Sequence, residues 1–140
     1  MDIVKGLKIE IANLHYGTFK GEGVETFKTF YSYLDFYDWN GNPNSFQKIN
    51  GCEIFDNYFR HLYRIIKSID ASLNKGIITE DEAKEYIGIV RSQLSAYELV
   101  IICYNGQTTV GEKFKELIIK YNLLKNIREN LVKYSYLDYY

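Results

Sequence analysis

Two groups of polar side chains at helical spacing are the best candidates for chemistry in this sequence. Arg60, Arg64 and Lys67 recur at i, i+4 and i+7, which keeps them on one side of a helix. Such a row suits contact with an anion or a nucleic acid, and it equally suits a solvated helix face. Asp56 precedes Arg60 by four residues, which favours an ordinary surface ion pair. His61 lies at the flank of the apolar face of the same helix.

The second group is Arg91, Ser95 and Glu98, in a later helical segment that is apolar on most of its other sides. Burying a charge without a partner is strongly unfavourable, so we expect either a structural ion pair between helices or a polar pocket. Gln93 and Asn105 are further candidates for such a pocket. The candidate pocket is therefore Arg91, Gln93, Ser95, Glu98 and Asn105, and the candidate surface contact is Arg60, His61, Arg64 and Lys67.

Signatures of common enzyme classes are absent from the chain. It has no P-loop, no GxGxxG motif and no GxSxG motif. It has two His and two Cys, none of them at ligand spacing, so neither a metal site nor a cofactor is predicted. Cys52 and Cys103 lie far apart and are expected to be reduced core thiols in a reducing compartment.

The elements that position these residues read as helices, because Pro is scarce and apolar residues recur with a period near 3.6. Residues 1–19 fit either a helix face or a strand face, and we assign them as a helix. Thr79 with Glu82, and Thr109 with Glu112, have the spacing of helix N-terminal capping boxes. Helices are predicted over 24–37, 53–74, 80–104, from 109 onward and over 123–133, with loops at Gly17, Gly21 and Gly23 and from Asn40 to about Gly51.

The predicted fold class is all-α, with one domain over residues 1–140. We expect a compact bundle of about four to six helices around a long central helix, 80–104, whose C-terminal half is buried. The tail 134–140 has no assignment.

Composition narrows the classes of partner. The net charge of -1 argues against binding a polyanion by bulk charge, so a nucleic acid is not indicated. The 14 Tyr suit either the boundary of a core or a partner surface. The longest apolar run, 99–104, is far too short to span a membrane, and charges in the first 14 residues break any signal peptide. We therefore expect a soluble, cytoplasmic protein.

Two segments carry a resemblance to a known family. They are YFRHLYRIIKSID at 58–70 and YIGIVRSQLSAYEL at 86–99, which continues to YNG at 104–106. A weaker third segment runs from KFK at 113–115 to YNLLKN at 121–126. Together, over about 53–127, they resemble the AbiC-like family of phage abortive-infection proteins. The matching motif residues are Tyr58, Phe59, Arg60, Tyr63, Lys67, Asp70, Arg91, Gln93, Leu94, Ser95, Glu98 and Asn105.

The resemblance implies a bacterial or phage-borne defence protein that stops phage propagation at the infected cell's expense. It implies no established chemistry and no catalytic residue. Members of the family often place membrane-spanning helices ahead of this region, and the first 50 residues here contain no such helix and match poorly.

Three functions compete at this point. The first is a defence effector or sensor that binds a phage-derived or host protein, or a second copy of itself. The second is a HEPN-like ribonuclease toxin. Such enzymes place an Arg and, after about four to six residues, a His; neither His15 nor His61 fits, which leaves Arg60, His61 and Arg91 of two subunits as a conceivable site. The third is a non-catalytic structural or scaffolding module.

Overall fold

A computed structural model describes residues 2–13, 17–36, 39, 41–46, 48–49, 51–108 and 110–133. Helices dominate the chain. In order, the elements are α1 (Asp2–Lys5), β1 (Lys8–Asn13), β2 (Gly17–Glu22), α2 (Glu25–Phe36), α3 (Pro43–Phe46), a 3-10 turn (Cys52–Phe55), α4 (Asp56–Asn74), α5 (Glu80–Ser92), α6 (Ala96–Gly106), α7 (Glu112–Lys120) and a second 3-10 turn (Glu129–Leu131).

The N-terminal residues form a β-hairpin, so the fold is mostly helical rather than all-α. β1 pairs with β2 in antiparallel register, with Ile9 opposite Gly21 and Ile11 opposite Phe19. Leu7, Ile9 and Ile11 are all buried. Side chains at alternating positions share one face of a strand, whereas a helix would spread them around its circumference. The helix predicted over 1–19 is confirmed only at α1 and is wrong at β1 and at the start of β2. The loop predicted at Gly17 and Gly21 is wrong as well, whereas Gly23 lies in the turn that follows β2.

The hairpin packs directly onto α2, and the absence of a side chain at Gly21 permits this. A Cβ at Gly21 would lie 2.5 Å from Oγ1 of Thr29 and 3.1 Å from the carbonyl oxygen of Glu25. The Thr29 hydroxyl donates to the Lys20 carbonyl at 3.2 Å. The glycine read as a loop signal is thus a site of close strand–helix approach.

An aromatic cluster joins α2 to the start of α4. The helix predicted over 24–37 is confirmed, and Phe27 and Phe30 on it are fully buried. Their ring centroids lie 4.9 and 5.2 Å from that of Phe55. Tyr58 lies 4.8 Å from Phe27. Val24, the first residue of the predicted helix, precedes α2 and is 47% exposed.

The segment predicted as a long loop before α4 carries part of the core. Phe46 and Ile49 are buried, α3 lies within the segment, and buried Trp39 directly precedes it. The 3-10 turn follows the segment. The helix predicted over 53–74 is confirmed as α4 with this turn before it, and its inner face is Tyr58, Phe59, Leu62 and Ile66.

The predicted central helix over 80–104 is broken into α5 and α6, which bend by 112°. Ser95 has the extended backbone of an N-cap residue, and its side chain accepts from the Glu98 N–H. Glu98 in turn accepts from the Ser95 N–H, which completes a capping box and starts a new helix. The Thr79 and Glu82 box at the start of α5 is confirmed.

α6 is the buried centre of the fold, as predicted for this stretch of sequence. Every residue from Glu98 to Gly106 is buried. The helix packs against α2, α3 and α7. A segment that is apolar on all sides needs neighbours on all sides, and the bend places α6 among them.

α7 ends in a Schellman motif, so the helix predicted over 123–133 is wrong. Asn122 takes the left-handed conformation, with φ 49°. The Leu123 N–H donates to the Ile118 carbonyl at 3.0 Å and the Asn122 N–H to the Ile119 carbonyl at 3.2 Å. At the other end, α7 begins at Glu112 with Gly111 as its N-cap residue. The capping box predicted for Glu112 depends on Thr109. Thr109 and the tail 134–140 lie outside the described residues.

Among the described residues, no single helix is long and apolar enough to cross a membrane. α5 and α6 together meet that length and composition, but the chain bends sharply between them.

Candidate functional site

The candidate polar pocket separates into unconnected contacts. Arg91 and Glu98 form neither an ion pair nor a shared pocket, because each binds other partners. Nη2 of Arg91 donates to the Tyr121 carbonyl at 2.9 Å. Gln93 is exposed at the C-cap of α5. Because of the bend at Ser95, residues 91–98 share no helix face.

Glu98 is buried, with 2% of its surface exposed, and one of its oxygens forms a first junction between α6 and α4. The Tyr58 hydroxyl donates to one oxygen at 2.9 Å, and the Ser95 N–H donates to the other at 2.6 Å. Burial and the neighbouring carboxylate raise the pKa of Tyr58 well above its ordinary value. The contact positions two helices, and it leaves neither side chain available to a ligand.

A second junction forms around Tyr121 and holds the end of α7 against α4 and α5. Its hydroxyl donates to Asp70 at 2.5 Å, and Lys120 donates to the same carboxylate oxygen at 2.6 Å. These hydrogen bonds lower the pKa of Asp70. Arg91 satisfies the Tyr121 carbonyl, one of the carbonyls that a helix C-terminus leaves unpaired. Asp70 and Arg91 therefore act structurally.

We expect Asp70→Asn to lower the free energy of unfolding by about 1 kcal/mol at neutral pH, because the hydrogen bonds lose their charged acceptor. The folded pKa of Asp70 lies below its unfolded value, near 3.8. The carboxylate's contribution is therefore complete above that value and is lost as the pH falls through the folded pKa. Urea unfolding at pH 7 and pH 3 measures this. The deficit should shrink at pH 3, and Glu85→Gln, on the exposed face of α5, should show none.

The candidate surface contact, which we call the surface stripe, faces solvent as predicted. Arg60, His61, Arg64 and Lys67 are all exposed on α4. Lys67 donates to the Tyr63 hydroxyl at 3.3 Å. His15 lies outside the described residues.

The stripe ends at a cleft of about 430 Å³ between the start of α4 and the connection from α6 to α7. Its floor is mostly apolar and buried. Phe59, Phe114 and Cys52 are 8, 4 and 4% exposed, and Asn105, the one residue of the candidate pocket that reaches the cleft, is 9% exposed. The rim is Glu53, Asp56, Arg60, Tyr63, Val110 and Lys113.

The charged side chains at the rim do not form ion pairs with one another. Asp56 and Arg60 are one helical turn apart, yet the expected ion pair between them is not formed. Within the described part of the chain, neither these two nor Lys113 has a hydrogen-bond or ion-pair partner. These three charged side chains line the cleft and can form hydrogen bonds or ion pairs with a ligand.

The cysteine in the cleft floor has the properties of a core thiol. Burial, with the acidic Asp56 and Glu53 nearby, raises the pKa of Cys52 to about 12, so its thiol stays protonated at neutral pH. Cys52 and Cys103 are both buried thiols and form no disulfide, as predicted. Across the described residues, no three His, Cys, Asp or Glu side chains group as a metal site requires.

The cleft and both junctions lie within one segment that a family comparison recognises. Residues 52–131 match the sequence model of the family described as "Putative phage abortive infection protein", which is more than half of the chain. The chain belongs to this family. The resemblance predicted over about 53–127 is thereby confirmed. No curated protein and no solved structure matches the chain.

The abortive-infection segment begins at the 3-10 turn before α4 and ends at the second 3-10 turn, so it contains every residue that lines the cleft. The sequence alone does not predict the cleft, but it contains one local signal of it. Asp56, Phe59, Arg60 and Tyr63 recur at i, i+3, i+4 and i+7, and so form a continuous face beside the buried stripe of α4. Nothing local indicated that Lys113 and Phe114 would lie opposite.

Proposed function

We propose that this chain protects bacteria against phage by binding a protein of phage or host origin in the cleft, as an effector or a sensor of infection. The observation that carries the proposal is the position of the cleft, which is built wholly from the family segment. The free charges at its rim and its apolar floor support binding. The Tyr58–Glu98 and Asp70–Tyr121 junctions hold its walls in place.

A binding role also fits the placement of the residues that a ribonuclease would use. A site built from Arg60, His61 and Arg91 needs all three groups free to meet RNA. Arg91 already donates to the Tyr121 carbonyl. Moving Arg91 to bind RNA would leave this carbonyl at the helix end without a hydrogen bond. The binding hypothesis requires no such rearrangement.

The test is a phage plating assay on cells that carry the chain. We expect the double variant Arg60→Ala, Lys113→Ala, and separately Val110→Asp, to lose most of the protection. Removing one charge-assisted contact of about 1.4 kcal/mol weakens binding about tenfold. All three side chains are exposed at the rim, so the variants should fold and accumulate normally, which immunoblotting and circular dichroism check.

The matched control is Lys84→Ala, which removes an exposed cation of α5 that does not line the cleft. It should protect as well as wild type. The double variant Arg64→Ala, Lys67→Ala separates the cleft from the rest of the surface stripe. Full protection by the folded cleft variants, or loss of protection only in the stripe variant, would contradict the proposal.

A further inference from the structure

Resting on the proposed function, we infer that the occupant of the cleft is a linear peptide segment of the partner protein. It carries one large apolar or aromatic side chain as its anchor, an acidic residue on one side and a basic residue on the other. The geometry behind this peptide assignment is a buried aromatic floor beneath a rim that carries both acidic and basic side chains.

The floor fits an anchor side chain. Phe59 and Phe114 present ring surface that other residues have already shielded from most solvent. The volume of about 430 Å³ lies toward the small end of ligand pockets, which span roughly 300–1,000 Å³. An anchor buried at the centre and ringed by polar groups is the ordinary anatomy of a protein-binding hot spot.

The rim determines the charges of the ligand. Glu53 and Asp56 provide two carboxylates, and Arg60 and Lys113 provide two cations, so the formal charge of the rim is zero. A phosphate-rich ligand would meet two carboxylates and would gain little from a neutral rim. A peptide with both signs can complement both pairs.

The rim also places its free charges on two different elements. Asp56 and Arg60 belong to α4, and Lys113 belongs to α7 across the cleft. Val110, beside Lys113, is 81% exposed and extends apolar surface beyond the floor. An extended segment crossing from α4 to α7 would cover Val110, which a small molecule confined to the floor would leave in water.

The experiment is a selection of random linear peptides, displayed on yeast, against the purified full chain, followed by fluorescence anisotropy with the synthesised winners. We expect winners that share an aromatic or large aliphatic residue flanked by acidic and basic residues. Val110→Asp and Arg60→Glu should each weaken binding at least about tenfold, and Arg64→Glu should leave it unchanged. Replacing the peptide's acidic residue with Lys should restore binding to Arg60→Glu.

Parallel titrations with ATP and with a single-stranded oligothymidylate examine the polyanion alternative. The inference is overturned if no peptide is selected, if selected peptides bind the Val110→Asp and Arg60→Glu variants as well as wild type, or if the charge-reversed peptide gives no rescue. It is equally overturned if the polyanions compete for the cleft and peptides do not.

The phage plating assay distinguishes failure of the peptide inference from failure of the proposed function. Cleft variants that lose protection while no peptide binds would leave the proposed function standing and remove the peptide as its ligand. Peptides that bind in the cleft by this pattern, with cleft variants that still protect fully, would retain the peptide site and remove its role in defence.

Discussion

Gly111→Ala is expected to destabilise the protein by about 3 kcal/mol, the upper end for overpacking a buried site. A Cβ at this position would lie 2.2 Å from the Asn105 carbonyl oxygen and 3.1 Å from the Gly106 Cα. These neighbours are backbone atoms, so no rotamer change relieves the overlap. The backbone at Gly111, with φ -87°, suits any residue, so the cost arises from steric overlap alone.

Gly88→Ala is the matched control for this change. Gly88 lies inside α5, and a Cβ there would meet nothing within 4 Å. Alanine should stabilise the helix by about 0.5–1 kcal/mol, because glycine loses more conformational freedom on folding. Urea unfolding followed by circular dichroism measures both variants. Equal stability of the two would mean that the α6–α7 connection is not packed as described, and that this wall of the cleft is misplaced.

Glu98→Ala is expected to lower the free energy of unfolding by about 3 kcal/mol. Loss of a capping interaction costs about 1 kcal/mol. The Tyr58 hydroxyl, on a side chain with no exposed surface, would also lose its acceptor, and an unsatisfied buried donor costs about 1–3 kcal/mol.

A second capping box in the same chain provides the control. Glu82 occupies the equivalent position after Thr79 at the start of α5, but its contacts are solvent-exposed. Glu82→Ala should cost only about 0.5–1 kcal/mol. The Tyr58→Phe, Glu98→Ala double variant should lose less than the sum of its single changes, because both disrupt one hydrogen bond. Equal costs at Glu98 and Glu82, or full additivity, would refute the coupling.

Local signals in the sequence were enough to predict α2, α4 and the start of α5. Their apolar residues recur with a regular period, and the Thr79 box marks a helix start by contacts three residues apart. The same signal was present at Ser95 and Glu98. Because apolar positions continue across Leu94, periodicity alone predicts one helix where the structure has two. The hairpin is ambiguous for a related reason, since the apolar residues around Leu7, Ile9 and Ile11 fit both periodicities in part.

The site was less predictable than the helices. The sequence singled out Arg91 and Glu98 correctly as charges that need partners, but it could not name Tyr121 and Tyr58, which lie 30 and 40 residues away. Each partner became available only when the bend before α6 turned the chain back into the bundle.

The sequence by itself determined where most helices form, that α6 must be buried, and that residues 52–131 belong to an abortive-infection family. These properties depend on residues within a few turns of each other, or on motif identity. Tertiary structure alone decided that the predicted polar pocket is two structural junctions, and that a cleft opens between α4 and α7. The physical reason is that Arg60 and Lys113, some fifty residues apart, come together only through packing of their helices on a shared core.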